Sequence, residues 1–208
     1  SLAFRAFFAL PVENFSTSSG QATNAVWGFA TMLSQVIDAE HPDHLAVAFD
    51  VKGGTFRNQM LPQYKGTRDA APEELLSQLP LIQQMLTALG VTYIEKPGYE
   101  GDDVIGTLAH KGVEAGYDVF MVTPDKDYGQ LVCDNCKIYK QKGNDGIEIV
   151  GREAIREKYG IENPQLVRDI LALWGDASDN IPGVPGIGEK TACKLVQEWG
   201  TVENILQN

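Results

Sequence analysis

The chain has 208 residues, 43% hydrophobic and 22% charged, which suits one α/β domain, or one domain with a small appendage. No apolar run approaches the ~20 residues a membrane span needs, and the semi-apolar opening Ser1-Leu2-Ala3-Phe4 carries no secretory pattern and reads as the start of a fragment. A formal net charge of −11 argues by itself against a nucleic-acid binder, whose footprint is basic, unless the carboxylates are gathered around cations.

In chain order, Val26, Phe29, Leu33 and Val36 recur at helical spacing and predict a helix over 22–38, with Thr23 or Asn24 as N-cap. The apolar run Leu45–Phe49, ending in Asp50, predicts a buried parallel strand. Residues 51–72 have weak periodicity and four basic residues, as a mobile or partner-dependent segment would. Leu75, Leu79, Ile82, Leu86 and Leu89 mark a second amphipathic helix that Pro80 should kink or split and Gly90 should stop. A strand over 91–94, a helix from Asp102 to Ala115 and a strand over 119–122 follow. Segments 136–140 and 146–150 read as a strand pair around Gly143-Asn144-Asp145-Gly146. Strands alternating with helices imply a largely parallel sheet covered on both faces. From Arg152 the pattern is helical only, over 152–158, 164–174 and 189–198. The cysteines Cys133, Cys136 and Cys193 cannot all pair, and the lone C-x-x-C has no second pair or nearby His. Reduced structural thiols in a cytoplasmic protein are the expectation.

Acidic residues recur at element ends. Asp50 follows one strand; Glu100, Asp102 and Asp103 follow the next and open a helix; Asp125 and Asp127 follow the third; Asp176 and Asp179 come from Gly175-Asp176-Ala177-Ser178-Asp179-Asn180. Residues just past parallel strand ends converge on one sheet edge, where ligands bind. Singly, each is an ordinary cap or turn former. Together they would repel without counter-ions, and Mg²⁺ or Mn²⁺ accepts oxygen ligands of this kind. Setting these eight aside removes most of the acidic excess.

Tyr64-Lys65-Gly66-Thr67-Arg68 places two cations beside an aromatic ring. The cations can hold phosphate while the ring stacks on a base; a solvated basic loop fits this spacing equally. Gly183-Val184-Pro185-Gly186-Ile187-Gly188, followed by Glu189 and Lys190, reads as a helix–hairpin–helix grip on a nucleic-acid backbone. The glycines let backbone N–H groups approach phosphate, and the helix N-terminus attracts it.

These motifs, with Phe4-Arg5-Ala6-Phe7, Phe49-Asp50-Val51-Lys52, Glu100-Gly101-Asp102-Asp103 and Thr123-Pro124-Asp125-Lys126-Asp127, resemble the 5′-nuclease domain of bacterial DNA polymerase I, within the flap endonuclease superfamily and in an actinobacterial style. The resemblance implies a PIN-like, mostly parallel sheet flanked by helices, a helical arch about 53–72, and a C-terminal helix–three-turn–helix. It divides the chain into a nuclease core over 1–150 and a DNA-binding subdomain over 151–208. By the same resemblance, Asp50, Glu100 and Asp102 hold a first metal ion with Asp103 nearby, and Asp125, Asp127, Asp176 and Asp179 lie nearer a second. Lys65 and Arg68 contact the scissile phosphate, Arg5 lies close by, and the glycine hairpin holds duplex backbone, with K⁺ as a candidate ion there.

The implied activity is cleavage of 5′ flaps and nicks in DNA, including RNA primer–DNA junctions, by a monomer in the bacterial cytoplasm, associated with the nucleoid and fused or unfused to a polymerase. The family's opening strand and its Asp precede the position of Ser1, so a sheet lacking that member is expected. A junction-binding module with impaired catalysis is then the alternative reading. The helices that follow the hairpin in the family lie beyond Asn208. Pro124 and Gly101 stand where the family has Gly and Ala.

Overall fold

A computed structural model describes residues 2–142 and 146–208. In chain order the elements are helices α1 (Leu2–Ala9) and α2 (Asn24–Glu40), strand β1 (Ala46–Phe49), helices α3 (Phe56–Met60), α4 (Glu73–Leu76) and α5 (Leu79–Ala88), strand β2 (Thr92–Glu95), and helix α6 (Gly101–Glu114). Strands β3 (Val119–Val122), β4 (Cys136–Gln141) and β5 (Ile147–Val150) follow, then helices α7 (Arg152–Tyr159) and α8 (Val167–Trp174). The two-residue strands β6 (Gly175–Asp176) and β7 (Ile181–Pro182) and helices α9 (Glu189–Trp199) and α10 (Val202–Ile205) complete the chain. The fold is α/β with parallel strand pairs and a helical C-terminal part. Residues 143–145 of the expected Gly143–Gly146 turn, and Ser1, lie outside the described residues.

The chain forms two compact units. One contains Ser1–Val51 and Asp69–Lys96, the other Lys52–Arg68 and Pro97–Asn208. In the first, β1 pairs parallel with β2, Ala46 opposite Thr92. Its core joins Ala3, Ala6 and Phe7 of α1, Ala25 and Phe29 of α2, and Leu75, Ile82 and Leu86. The small residues on α1 and α2 let these helices close up. A Cβ on Gly28 would stand 2.9 Å from that of Ala6, so glycine is required at this crossing. Helix α1 was not anticipated, because eight residues are too few to display periodicity.

Pro80 splits the second predicted helix as expected. It sits in the first turn of α5, where its missing N–H costs nothing, and Gly90 takes a positive φ after the last turn. Leu89, assigned to the buried stripe, is exposed because it lies beyond the final turn of α5 as its C-cap. The expectation of sheet faces covered on both sides fails for β1 and β2. Val47 and Phe49 pack on the core, whereas Thr92, Tyr93 and Glu95 are exposed.

Polar side chains tie this unit's helix ends together. Asn24 Nδ2 donates to the carbonyls of Phe7 and Leu10 at 2.8 and 2.9 Å, occupying acceptors in the last turn of α1 and just past it. Gln78 Oε1 accepts from the Ala25 and Val26 N–H groups at 2.8 and 3.2 Å, and its Nε2 donates to Asn24 Oδ1 and the Glu74 carbonyl, both at 2.9 Å. Both side chains are fully buried.

In the second unit β3 pairs parallel with β4, and β4 antiparallel with β5. One apolar core runs through Met121, Ile138, Tyr128, Ile155, Ile170 and Val196, so the helices after residue 150 share it with the strands before. Cys136 is part of that core, and burial pushes its thiol up to about 11. The segment expected to be mobile or partner-dependent is instead locally structured over 52–68. Thr55 and Asn58 cap α3 reciprocally, and turns follow through Gly66 N–H on the Gln63 carbonyl at 2.9 Å. Its helical content is five residues, much less than an arch spanning 53–72 suggests.

Replacing Gln78 by Leu strands two N-terminal N–H groups of α2 and the Asn24 side-chain oxygen without partners. The expected loss is about 3 kcal/mol of stability, measured by urea unfolding; a loss below about 0.5 kcal/mol would remove the polar hub from the account.

Candidate metal and nucleic-acid site

Seven of the eight singled-out carboxylates belong to the second unit. They fall in two groups, each interleaved with cations.

The first group opens α6. Glu100 is the N-cap, with its side chain on the Asp103 N–H and the Asp103 side chain accepting the Glu100 N–H at 2.9 Å. This reciprocal cap aims both carboxylates out of the first turn. Asp103 receives a two-pronged contact from Arg57, at 2.7 and 2.8 Å. That guanidinium holds the Asp103 carboxyl below its usual range. Lys65 Nζ donates to both oxygens of Glu100 at 2.9 Å. Asp102 accepts from the Tyr128 hydroxyl at 2.7 Å.

Tyr64 lies between Glu100 and Asp179, its hydroxyl 3.1 Å from one and 3.0 Å from the other. One proton faces two carboxylates, so it serves one of them at a time. Burial, with the charge of Glu100 next, raises the phenol pKa far above its ordinary value. The ring is only 6% exposed. Stacking on a base, the role considered for Tyr64 from sequence, is therefore corrected: the side chain is committed inside the carboxylate cluster.

The segment carrying Lys65 and Arg68 is stitched to the Gly175–Asn180 loop. Lys65 N–H donates to the Asp179 carbonyl at 2.8 Å, Asn180 Nδ2 to the Gln63 carbonyl at 2.8 Å, and Arg68 Nε to the Ser178 carbonyl at 3.2 Å. Arg68 also pairs with the Asp179 carboxylate, and Lys65 Nζ stands 3.9 Å from it. Lys65 takes a left-handed φ of 56° and Asn180 one of 55°, uncommon for residues other than glycine. The tight turns hold Lys65 on Glu100 and Asn180 on the Gln63 carbonyl.

The second group joins Asp125, Asp127 and Asp176. Asp125 Oδ1 accepts the Asp127 N–H at 3.0 Å, and Asp176 Oδ1 accepts those of Ser178 and Asp179 at 2.8 and 3.3 Å. Lys126 Nζ donates to Asp176 Oδ2 and lies 3.5 Å from Asp127 Oδ1. Burial, then the charge of Asp125, raises the Asp127 pKa. Burial also works against the Asp176 charge, but hydrogen bonds from Lys126 and Ser178 hold its pKa at about 2. Asp127 Oδ1 is buried without a hydrogen bond among the described residues.

The donors are carboxylate oxygens, the ligand type of hard divalent ions, and the second group holds three negative charges against one ammonium. In chemistry and charge the residues fit a divalent cation. Among the described residues no three acidic, His or Cys side chains converge closely enough to hold one, with Lys65 and Lys126 standing among the carboxylates.

Asp50 and Arg5 belong to the other unit. Asp50 is exposed directly after β1, and Arg5 is exposed on α1. Arg57, Lys126 and Tyr128 were not assigned to the site from sequence. Arg57 was visible as one more cation of the basic segment, and Lys126 as the middle of Asp125-Lys126-Asp127; the Tyr128 contact had no local signal.

The glycine hairpin divides by role. A Cβ on Gly183 would run into the Trp174 carbonyl, so Gly183 is needed for backbone packing beside Gly175. Around Gly186 and Gly188 a Cβ would meet nothing within 4 Å. Val184 N–H donates to the Leu173 carbonyl at 2.8 Å and Ile187 N–H to the Val184 carbonyl at 3.0 Å, while the Ile187 side chain packs on the core. Helix α9 starts at Gly188 without a side-chain cap, and Lys190 is exposed in its first turn.

The family model "5′-3′ exonuclease, N-terminal resolvase-like domain" matches residues 1–160, and "5′-3′ exonuclease, C-terminal SAM fold" matches 162–208. DNA polymerase I of Mycobacterium bovis is 47% identical over 209 residues, covering 100% of this chain and 23% of that protein. The chain thus spans about a quarter of the curated polymerases it matches. The 5′-3′ exonuclease of Aquifex aeolicus is 44% identical, covering 100% of this chain and 70% of the relative. Bacteriophage T5 5′-exonuclease with bound zinc ions shares the fold at TM-score 0.71 and 22% identity, over 86% of this chain and 68% of that one. The catalytic core of Rad2 in complex with DNA substrate does so at TM-score 0.58 and 19% identity, over 98% and 60%. From the carboxylate motifs to the glycine hairpin, this chain belongs to the 5′-3′ exonuclease family.

Proposed function

We propose that this chain is the nuclease part of an enzyme that hydrolyses phosphodiesters at 5′ flaps and nicks in DNA, leaving a 5′-phosphate and a 3′-hydroxyl. The observation that carries this is the carboxylate set interleaved with cations, on the same compact unit as a glycine hairpin. Family membership and the nuclease relatives support it.

Glu100 and Asp102 would hold one divalent ion; Asp125, Asp127, Asp176 and Asp179 would hold the second. When bound, such ions supply Lewis acidity toward the attacking water and the leaving oxygen. The rest falls to this chain's own side chains. Arg57 fixes Asp103 and, through the reciprocal cap, the orientation of Glu100. Tyr64 keeps Glu100 and Asp179 in register. Lys65 and Arg68, now on carboxylates, are the cations that would turn to a scissile phosphate and offset its developing charge. Gly186, Gly188 and Lys190 would hold duplex backbone without reading bases. Junction shape, rather than sequence, then selects the substrate. In the cell this corresponds to removal of primers and flaps beside a polymerase.

On a 5′-flap duplex with Mg²⁺, Asp125→Asn and Asp176→Asn should each slow cleavage by about 100-fold or more. Cleavage that persists in excess chelator would defeat the metal-dependent reading. Lys190→Glu should weaken junction binding and reduce the dependence of log K on log salt by about one. Binding indistinguishable from wild type at every salt concentration would remove the hairpin from the DNA interface.

A further inference from the structure

We propose that Lys126 is an internal counter-ion of the Asp125–Asp127–Asp176 group, displaced when a divalent cation binds, so that it weakens the ion's affinity instead of belonging to the loaded site. The proposal rests on the divalent-metal reading above and deepens it.

Lys126 stands between two of the carboxylates in the chain and contacts the third across the fold. Its ammonium donates to Asp176 Oδ2 and is 3.5 Å from Asp127 Oδ1. Three carboxylates and one ammonium leave an excess of two negative charges, a match for one divalent ion. Adding that ion with the ammonium still in place would set like charges a few ångströms apart where the dielectric is reduced. One of them must leave, and the tethered lysine is the one with a route out. Its side chain is 32% exposed, and its Nζ lies 5.8 Å from the centre of the Trp174 ring. Asp127 Oδ1 is buried without a hydrogen bond among the described residues and has the ammonium only at 3.5 Å, a weak contact that a bound ion would replace. Because the lysine is covalently attached beside its carboxylates, it competes at a fixed, high effective concentration. Lys65 holds the corresponding contact on Glu100, where the proposed function turns it to phosphate.

The test is Mn²⁺ binding to metal-free protein, followed by titration calorimetry and Trp174 emission, for wild type, Lys126→Met, Lys126→Gln and Lys126→Arg. Asp176→Asn identifies which of the bound ions belongs to this group. Lys126→Met should bind that ion about tenfold or more tightly and lose the emission change that accompanies loading in wild type. Lys126→Gln, which keeps a hydrogen-bond donor for Asp176 without the charge, should tighten binding likewise and covers a folding defect in the Met variant. Lys126→Arg should stay within about threefold of wild type. Equal or weaker binding by both neutral variants, with wild type still binding, overturns the counter-ion role alone. No binding by any of the proteins overturns both this role and the metal reading.

Discussion

Carboxylates cannot be gathered in one region of a protein without cations among them. In this chain that constraint organises the second unit. Each acidic group has basic residues among its carboxylates, and these arrive by three routes. Arg57 comes from the short helix α3, Lys65 and Arg68 from the turns that follow it, and Lys126 from within the acidic motif itself. The pairs of Arg57, Lys65 and Lys126 are part-buried, so they carry more than surface ion pairs do, while Arg68 is exposed.

Backbone geometry makes these pairings possible. The Gly175–Asn180 loop offers carbonyls to the basic segment and receives hydrogen bonds from it. Gly175 and Gly183 let the loop fold against the end of α8, where a side chain at Gly183 would collide with the Trp174 carbonyl. A loop whose sequence looks like a ligand motif is thus also a structural clamp, and mutations there act on both properties together. The first unit solves a different problem. Its helices meet end to end inside the core, and Gln78 with Asn24 satisfies those ends, where unpaired backbone groups would be costly.

The exposed edge of the glycine hairpin completes the division of labour. Gly183 and Ile187 face inward to packing, while Gly186, Gly188 and Lys190 face open space. Glu189 lies between Gly188 and Lys190, so this edge carries one charge of each sign.

Much was determined by sequence alone. Period and punctuation located α2, the break at Pro80, β3 to within the residue, and the helices around the hairpin, because these depend on local backbone preferences and one-sided burial. The acidic motifs at element ends picked out seven carboxylates of the second unit, because caps and turns at element ends favour those residue types wherever they fold. What the sequence could not decide were the partners. Whether Tyr64 stacked on a base or bridged Glu100 and Asp179, whether the basic segment was mobile or pinned to Asp179 and Ser178, and which cation neutralised which carboxylate all involve residues 35 to 115 positions apart. Those contacts have no local signature. They exist only once the core has brought the elements together, and the energy that selects among them is electrostatic, set by distances that tertiary structure alone provides.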